Sequence, residues 1–437
     1  MRLFAVTNAM SYYAMLVPAY TGHVNPMLVL GDALRRRGHR VAIVSALEAE
    51  EKVRRRGLEF IPVGVQEFPP GEWARTTTQM AELRGWEASR FAGHWLRRFA
   101  RGILRDLPPV VERERFDGVV MDQISIGGES VCHAMKLPMA VACNSLLGHA
   151  ESRVPPVVFS WPYRPGLPFR VRNMVGQFMM LSTGWPVVLE LLPFRRKHRL
   201  PRMAYDHGNE VPPSLVQVAQ VPEFFDFPRH GLPDHFHYTG PWADPEAGKE
   251  MDFVWERLTD NPLIFASFGT LQNRLADTFR IVAEACAGLD AQLVLSLGCK
   301  GAKIQEKLPG EPIVVDYAPQ RALLRRAKLV ITHGGLNTAL ESLSEGVPMV
   351  ALPITNDQPG VAARIKRLGA GEFIPIKNLT AGELRNVVMR VLSSDLYRTR
   401  AKEAAAKIRD LNGAEHAAEL LERAFTTRER VRRKETG

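Results

Sequence analysis

Residues Lys328–Gln358 read KLVITHGGLNTALESLSEGVPMVALPITNDQ, and the order of signals within them decides the fold. The short apolar run Leu329–Thr332 reads as a buried strand. A turn, His333-Gly334-Gly335, leads straight into a helix from Leu336 to about Glu345, which Gly346 stops at the C′ position. A second apolar strand follows over Val347–Pro353. Together these make a βαβ unit whose glycine turn stands at a helix N-terminus. Free N–H groups and the macrodipole favour an anion there, such as a diphosphate. Asn337, Glu341 and Ser344 fall on one polar stripe of the helix, and Leu340 and Leu343 on an apolar one. Polar side chains therefore gather near the anion position.

The amino-terminal half carries a second constellation. Tyr13–Pro18 reads as a first strand, followed by Ala19–Val24 and a helix for which Asn25-Pro26 supplies an N-cap and N1 pair. Gly38 ends that helix, and Val41–Val44 is the next strand. His23 thus lies between a strand's C-terminal edge and a helix start, where open α/β sheets bind ligands. Gly118–Met121 is another apolar strand, ending at Asp122, so Asp122 projects from the same edge of the same sheet. A neutral histidine backed by a carboxylate is a general base whose imidazolium is stabilised as it forms. The plainer role for Asp122 is a helix or turn cap. A third element, Ser267-Phe268-Gly269-Thr270, closes the strand Leu263–Phe268 and can offer backbone and hydroxyl donors to a phosphate.

With Tyr317, Pro319 and Gln320 upstream and Asp357-Gln358 at its end, the opening stretch resembles the donor-binding signature of the UDP-glycosyltransferases. In its plant form that signature runs from a Trp and a Pro-Gln pair through His, Trp-Asn-Ser and a helical Glu to Asp-Gln. His333, Asn337, Thr338, Glu341, Asp357 and Gln358 match in register, Thr338 replacing Ser. Tyr317 stands for the first Trp, Leu336 for the second, and the segment between Gln320 and His333 is shorter. GHVNP around His23 and VVMDQ around Asp122 match the family's catalytic pair. Within the family the likeness is to the bacterial zeaxanthin glucosyltransferase branch. Asp122–Ser125, Cys143–Ser145, Val154–Pro156 and His237–Pro241 carry it.

The resemblance implies the GT-B fold: α/β, two Rossmann-like doubly wound parallel-sheet domains facing a cleft. Residues 1–240 would form the acceptor-binding domain, with 1–11 an extension. Residues 241–255 would be the linker, and 256–437 the donor-binding domain, with its final helices crossing back. The implied reaction is inverting transfer of a hexose, glucose, from a UDP-sugar to a hydroxyl of a lipophilic acceptor, a carotenoid such as zeaxanthin. Macrolide or flavonoid glycosylation, a UDP-sugar epimerase and a non-catalytic nucleotide-sugar-binding subunit are the alternatives. His23 would be the base and Asp122 its orienter. Ser267, Gly269, Thr270, His333, Gly335, Leu336, Asn337 and Thr338 would line the donor site, with Thr270, His333, Gly335 N–H and Thr338 meeting the diphosphate. Tyr317 and Gln320 would hold the uracil, Glu341 the ribose, and Asp357 with Gln358 the sugar hydroxyls. Asn144, Phe178 and Met179 are the acceptor-pocket candidates. No Asp-x-Asp occurs in the chain, so the implied chemistry uses no metal and no cofactor beyond the UDP-sugar.

Composition agrees with this frame. A chain of 437 residues is too long for one core and fits two domains of about 200 residues each. Cys132, Cys143, Cys286 and Cys299 show no CxxC spacing, which argues against a zinc knuckle or a disulfide framework and for a reducing cytoplasm. No run approaches ~20 uninterrupted apolar residues, the length of a membrane span. The net charge of +10 invites a nucleic-acid reading, yet no such module is recognisable. Arg35–Arg37 and Arg54–Arg56 precede Gly38 and Gly57 and suit solvated helix ends. Arg195–Arg199 follows the apolar stretch Phe169–Phe194, which separates two segments expected to be Pro-rich and irregular, Pro155–Pro168 and Pro193–Pro233. That pairing suits a greasy acceptor pocket, contact with anionic lipid at the inner membrane face, or a core helix followed by an exposed loop.

Overall fold

The computed structural model describes residues 10–83, 85–244, 251–269, 276–298 and 307–433. The amino-terminal sheet contains β1 (Tyr12–Leu16), β2 (Arg40–Ser45), β3 (Glu59–Pro62), β4 (Gly118–Asp122) and β5 (Met139–Cys143). Two further strands, β6 (Gln217–Ala219) and β7 (Phe236–Tyr238), complete it. All seven are parallel, in the order β3-β2-β1-β4-β5-β6-β7. Every residue of β1, β4 and β5 is buried. Helices on both faces of a parallel sheet leave its central strands no polar side, hence the unbroken apolar runs.

After β1 comes α1 (Thr21–Arg36), which starts earlier than the Asn25-Pro26 pair suggests. Its first turn is held by His23 and Val24 N–H donating to the Tyr20 carbonyl at 2.9 and 2.8 Å. Pro26 therefore lies inside the helix, where its missing N–H leaves the Gly22 carbonyl without its intrahelical donor. The long helix α2 (Gly85–Glu114) precedes β4. The apolar stretch Phe169–Phe194 holds α3 (Leu167–Ser182) and α4 (Trp185–Lys197), bent by 60° to each other, whose outer ends run a few residues into the segments expected to be irregular. Arg195 is wholly buried at the end of α4. It donates to the carbonyls of Pro201, Met203 and Val211 and to Ser130 Oγ, at 2.6 to 3.1 Å. The basic run is thus part fold and only part surface.

The second sheet contains β8 (Leu263–Ser267), β9 (Gln292–Ser296), β10 (Ile313–Val315), β11 (Ala327–Thr332), β12 (Met349–Ala351) and β13 (Gly371–Phe373). These six are parallel, in the order β10-β9-β8-β11-β12-β13. Helices α5 (Leu336–Ser344) and α6 (Gln358–Leu368) follow β11 and β12. The last helix, α7 (Gly413–Thr427), returns to the first sheet and buries Ala417, Leu421 and Phe425 in the core around Tyr13 and α1. Its acids explain the first arginine run. Arg36 pairs with Glu415 at 2.5 Å, and Arg37 and His39 with Glu422. The second run is paired too, with Arg56 on Asp32 and Asp244. Arg35, Arg36, Arg54 and Arg55 stand exposed in the last turns of their helices, as expected, while Arg37 and Arg56 serve as clamps between elements. Cys132, Cys143 and Cys286 are free and buried; Cys299 lies outside the described residues.

Candidate functional site

In each sheet the connections reverse direction between the first and fourth strands in chain order, the switch point at which α/β sheets open a crevice. In the amino-terminal sheet those strands are β1 and β4, in register at Leu16 and Met121. His23 follows one and Asp122 closes the other. His23 Nδ1 meets Asp122 Oδ2 at 2.8 Å, while Asp122 Oδ1 accepts from Ile124 N–H at 2.9 Å. The carboxylate is buried and the imidazole side chain 17% exposed, so Nε2 is the nitrogen left toward the cleft. Burial disfavours the imidazolium, but the charge and hydrogen bond of Asp122, with Asp357 farther off, outweigh it. The His23 pKa is raised. Asn144 Nδ2 donates to the His23 carbonyl at 3.1 Å and steadies the helix turn from behind. Beside the histidine, the Tyr20 ring lies 5.1 Å from Trp73 and 4.9 Å from Trp95, a buried aromatic wall backed by Phe68 and Phe99.

In the carboxy-terminal sheet the switch-point strands are β8 and β11, in register at Ser267 and Thr332. The Ser267–Gly269 and His333–Gly335 turns therefore emerge side by side. The His333 ring lies against both glycines. A Cβ on Gly269 would fall 2.9 Å from its Cε1, and one on Gly335 2.8 Å from the same atom. Only glycine fits at either position. Burial lowers the His333 pKa to about 4, with a bond to Ser267 opposing, so the ring is neutral near pH 7 and acts as a hydrogen-bonding group. Helix α5 then begins, its first intrahelical bond running from Ala339 N–H to the Gly335 carbonyl at 3.0 Å. The N–H groups of Leu336, Asn337 and Thr338 precede that bond, as the first turn of any helix requires. Half-buried Glu341 accepts from Gln320 Nε2, and desolvation raises its pKa despite that bond. Tyr317 stands half-exposed beyond β10. Thr270 lies outside the described residues.

The two crevices face each other across direct bonds. Asn337 Nδ2 donates to the Gly22 carbonyl at 2.9 Å, the group that Pro26 leaves unserved. Asn337 Oδ1 accepts from Gln220 Nε2 at 2.9 Å, and Gln220 also donates to the Asn144 carbonyl. Asp357 Oδ2 accepts from Leu146 N–H at 3.1 Å; burial raises its pKa, with His23 among the groups opposing the rise. Gln358 turns its carboxamide oxygen back onto Ile354 and Thr355 N–H. A carboxylate-backed histidine and a glycine-lined helix N-terminus thus meet within one cleft.

Comparison with known proteins agrees with this geometry. The family described as UDP-glucoronosyl and UDP-glucosyl transferase matches residues 103–411. The chain belongs to that family. The glycosyltransferase family 28 N-terminal domain also matches, over residues 21–99. A zeaxanthin glucosyltransferase of Pantoea ananas is 29% identical over 425 residues, 96% of this chain and 97% of the relative. One from Pseudescherichia vulneris is 28% identical, covering 97% of this chain and 100% of its own. The crystal structure of the kitacinnamycin glycotransferase superposes with a TM-score of 0.74 at 24% identity, covering 96% of this chain and all of that one. The fold is GT-B, and this UDP-glycosyltransferase is an enzyme of glycosyl transfer.

Not every residue expected at the site of this UDP-glycosyltransferase faces the cleft. Phe178 and Met179 stand exposed on the outer side of α3, Phe178 at 74%. They belong to a surface and not to a closed acceptor pocket. The reason is local, because α3 turns Asn173 and Gln177 inward, where they donate to the Ser152 and Glu151 carbonyls at 3.0 and 2.7 Å. Residues that the sequence did not mark complete the site. Gln220 joins both halves. Asp226, after β6, accepts from Arg364 of α6 at 2.9 and 2.6 Å, from Arg229 at 3.0 Å and from Tyr238 at 3.0 Å. That buried bridge holds the helix whose first turn presents Asp357 and Gln358.

Proposed function

We propose that this enzyme performs inverting, metal-independent transfer of glucose from UDP-glucose to a hydroxyl of a lipophilic small molecule, a hydroxylated carotenoid such as zeaxanthin. The single observation carrying the chemistry is the 2.8 Å bond from His23 Nδ1 to Asp122. It fixes the ring with Nε2 toward the cleft, the arrangement a general base needs. In the proposed step Nε2 takes the proton of the acceptor hydroxyl, and the oxygen attacks the anomeric carbon. UDP departs from the opposite face, and Asp122 balances the imidazolium. Negative charge on the leaving diphosphate meets the N-terminus of α5, Gly335 N–H, the Thr338 hydroxyl, neutral His333 and Thr270. Gln320 and Glu341 take the uracil and ribose end, Tyr317 stacks on the base, and Asp357 with Gln358 takes the sugar.

Two observations support the acceptor class. The zeaxanthin glucosyltransferase relatives align over nearly the whole chain, and an aromatic wall, not a polar one, flanks His23. Such an acceptor lives in a bilayer, so the reading includes peripheral contact with anionic lipid at the cytoplasmic face of the membrane. Incubation with UDP-glucose and a panel of carotenols, macrolides and flavonoids tests it by mass spectrometry. A carotenoid glucoside with inverted anomeric configuration, formed equally with EDTA present, is the expected product. Conversion of macrolides or phenols alone would move the acceptor to those classes. UDP release without any alcohol would point to an epimerase.

The donor end has its own test. Glu341→Ala is expected to weaken UDP binding by about 1–3 kcal/mol, as loss of charge-assisted hydrogen bonds does. Unchanged affinity by calorimetry would remove Glu341 from the ribose position.

A further inference from the structure

Helix α3 is built inside out. Its carboxamides, Asn173 and Gln177, are buried against the body of the protein. Gly176 packs beside Trp161, where a Cβ would come within 2.8 Å of the indole. The opposite face carries Leu167, Val171, Met174, Phe178 and Leu181, each more than half exposed, and Trp185 continues the row onto α4. Steps of three and four residues place these side chains on one stripe. Most of the exposed large apolar side chains of the described residues lie between Leu167 and Met203. Monomeric proteins rarely leave so continuous an apolar surface in water.

Charge identifies what covers it. Between Pro155 and Ala204 the sole acidic residue is Glu190, already paired with Arg97 and Arg101 at 2.8 Å. Around the stripe Arg164, Arg170, Arg196, Lys197, Arg199 and Arg202 are exposed. An apolar row whose own segment carries six exposed cations and no unpaired acid has the chemistry of docking to an anionic bilayer. Among the described residues no single helix is long and apolar enough to cross a membrane. Moreover, α4 buries Val187 and Leu191 beside Ala100 of α2, which ties the pair to the protein body. One stretch of chain also joins the surface to the site. The segment that receives Gln177 and Asn173, at Glu151 and Ser152, continues upstream to Leu146, the partner of Asp357.

We propose that the α3–α4 face is a docking surface for an anionic lipid bilayer, laid flat on the headgroups so that the cleft meets a membrane-borne acceptor. The purpose rests on the lipophilic-acceptor reading above, whereas the docking does not, because it is measured without any acceptor. The full-length protein is floated with phosphatidylglycerol–phosphatidylcholine vesicles and with phosphatidylcholine vesicles alone. Wild type is expected to float with the anionic vesicles at low salt and to be released at high salt. Met174→Glu with Leu181→Glu, and separately Arg170→Gln, Arg196→Gln, Lys197→Gln and Arg199→Gln together, are each expected to lower binding by about tenfold or more. Arg195 is left untouched because it is buried. Circular dichroism and turnover of a water-soluble phenol should match wild type in both variants, which separates lost docking from lost folding.

Absence of wild-type binding, or binding unchanged in both variants, would overturn the proposal. So would a wild-type dimer in solution that the Met174 and Leu181 changes split into monomers, since the face would then be a self-interface. Association that resists high salt and alkaline carbonate would make the helices an embedded segment instead.

Discussion

Replacing His23 with alanine is expected to lower kcat by roughly 10²–10⁴-fold while leaving UDP affinity near wild type, the effect of removing a positioned general base. The ring contacts Asp122 and lies across the cleft from the helix N-terminus of α5, so its loss removes proton transfer and not donor binding. The pH profile offers a sharper readout. His23 must be neutral to accept a proton, so kcat/KM falls as pH drops through its pKa. Asp122 raises that pKa, and the acid limb should therefore lie above the position of an ordinary histidine. Asp122→Asn removes the charge, and its acid limb should move to lower pH even as the plateau rate drops. Retained turnover within a few-fold in His23→Ala, or an acid limb unmoved in Asp122→Asn, would take the pair out of the mechanism.

Much of this arrangement is legible in the sequence because parallel sheets leave a strong trace. The runs at Gly118–Asp122, Met139–Cys143 and Leu263–Ser267 are buried throughout, so their boundaries follow from hydrophobicity to within a residue. The glycine turns at Gly269 and Gly335 are visible as glycines, although their cause, the His333 ring pressed between them, is tertiary. Pro26 shows where such reading fails. A proline after an asparagine looks like a helix start, yet here it lies within the helix. The carbonyl it leaves free is taken by Asn337, far along the chain. Helix α3 misleads for a different reason. Its apolar stripe has the spacing of a core-facing helix, and spacing cannot say whether that face turns toward protein or away from it. Only the inward carboxamides of Asn173 and Gln177 reveal the direction.

The most consequential residue without a sequence signal is Asp226, and its removal is expected to cost about 3–5 kcal/mol of stability. Nothing in the Phe-Phe-Asp-Phe-Pro surroundings marks it, because its main partner, Arg364, comes from another helix in the second half of the chain. Both side chains are buried, and the Arg364 guanidinium also lies 4.2 Å from the Phe227 ring centroid. Asp226→Ala would leave that guanidinium in the interior with no carboxylate, which is the expensive way to break a buried pair. Pairing Asp226→Ala with Arg364→Met should recover part of the loss, since the Arg364 charge is removed with its partner and only that of Arg229 is left without a carboxylate. The same bridge shapes the acid response. Burial by itself would raise the Asp226 carboxyl, but Arg364 and Arg229, with the Tyr238 hydroxyl, hold it far below the usual carboxylate range. Its contribution is therefore complete above the unfolded pKa of about 3.9 and drains away as pH falls below that value. Urea unfolding across that window should show wild type losing stability with acid and Asp226→Ala losing less of it. A deficit under about 1 kcal/mol at neutral pH, or parallel acid slopes in the two proteins, would mean that the bridge does not hold α6. Because α6 begins at Asp357 and Gln358, the variant should also bind UDP-glucose more weakly than UDP, a discrimination that a purely global loss of stability would not produce.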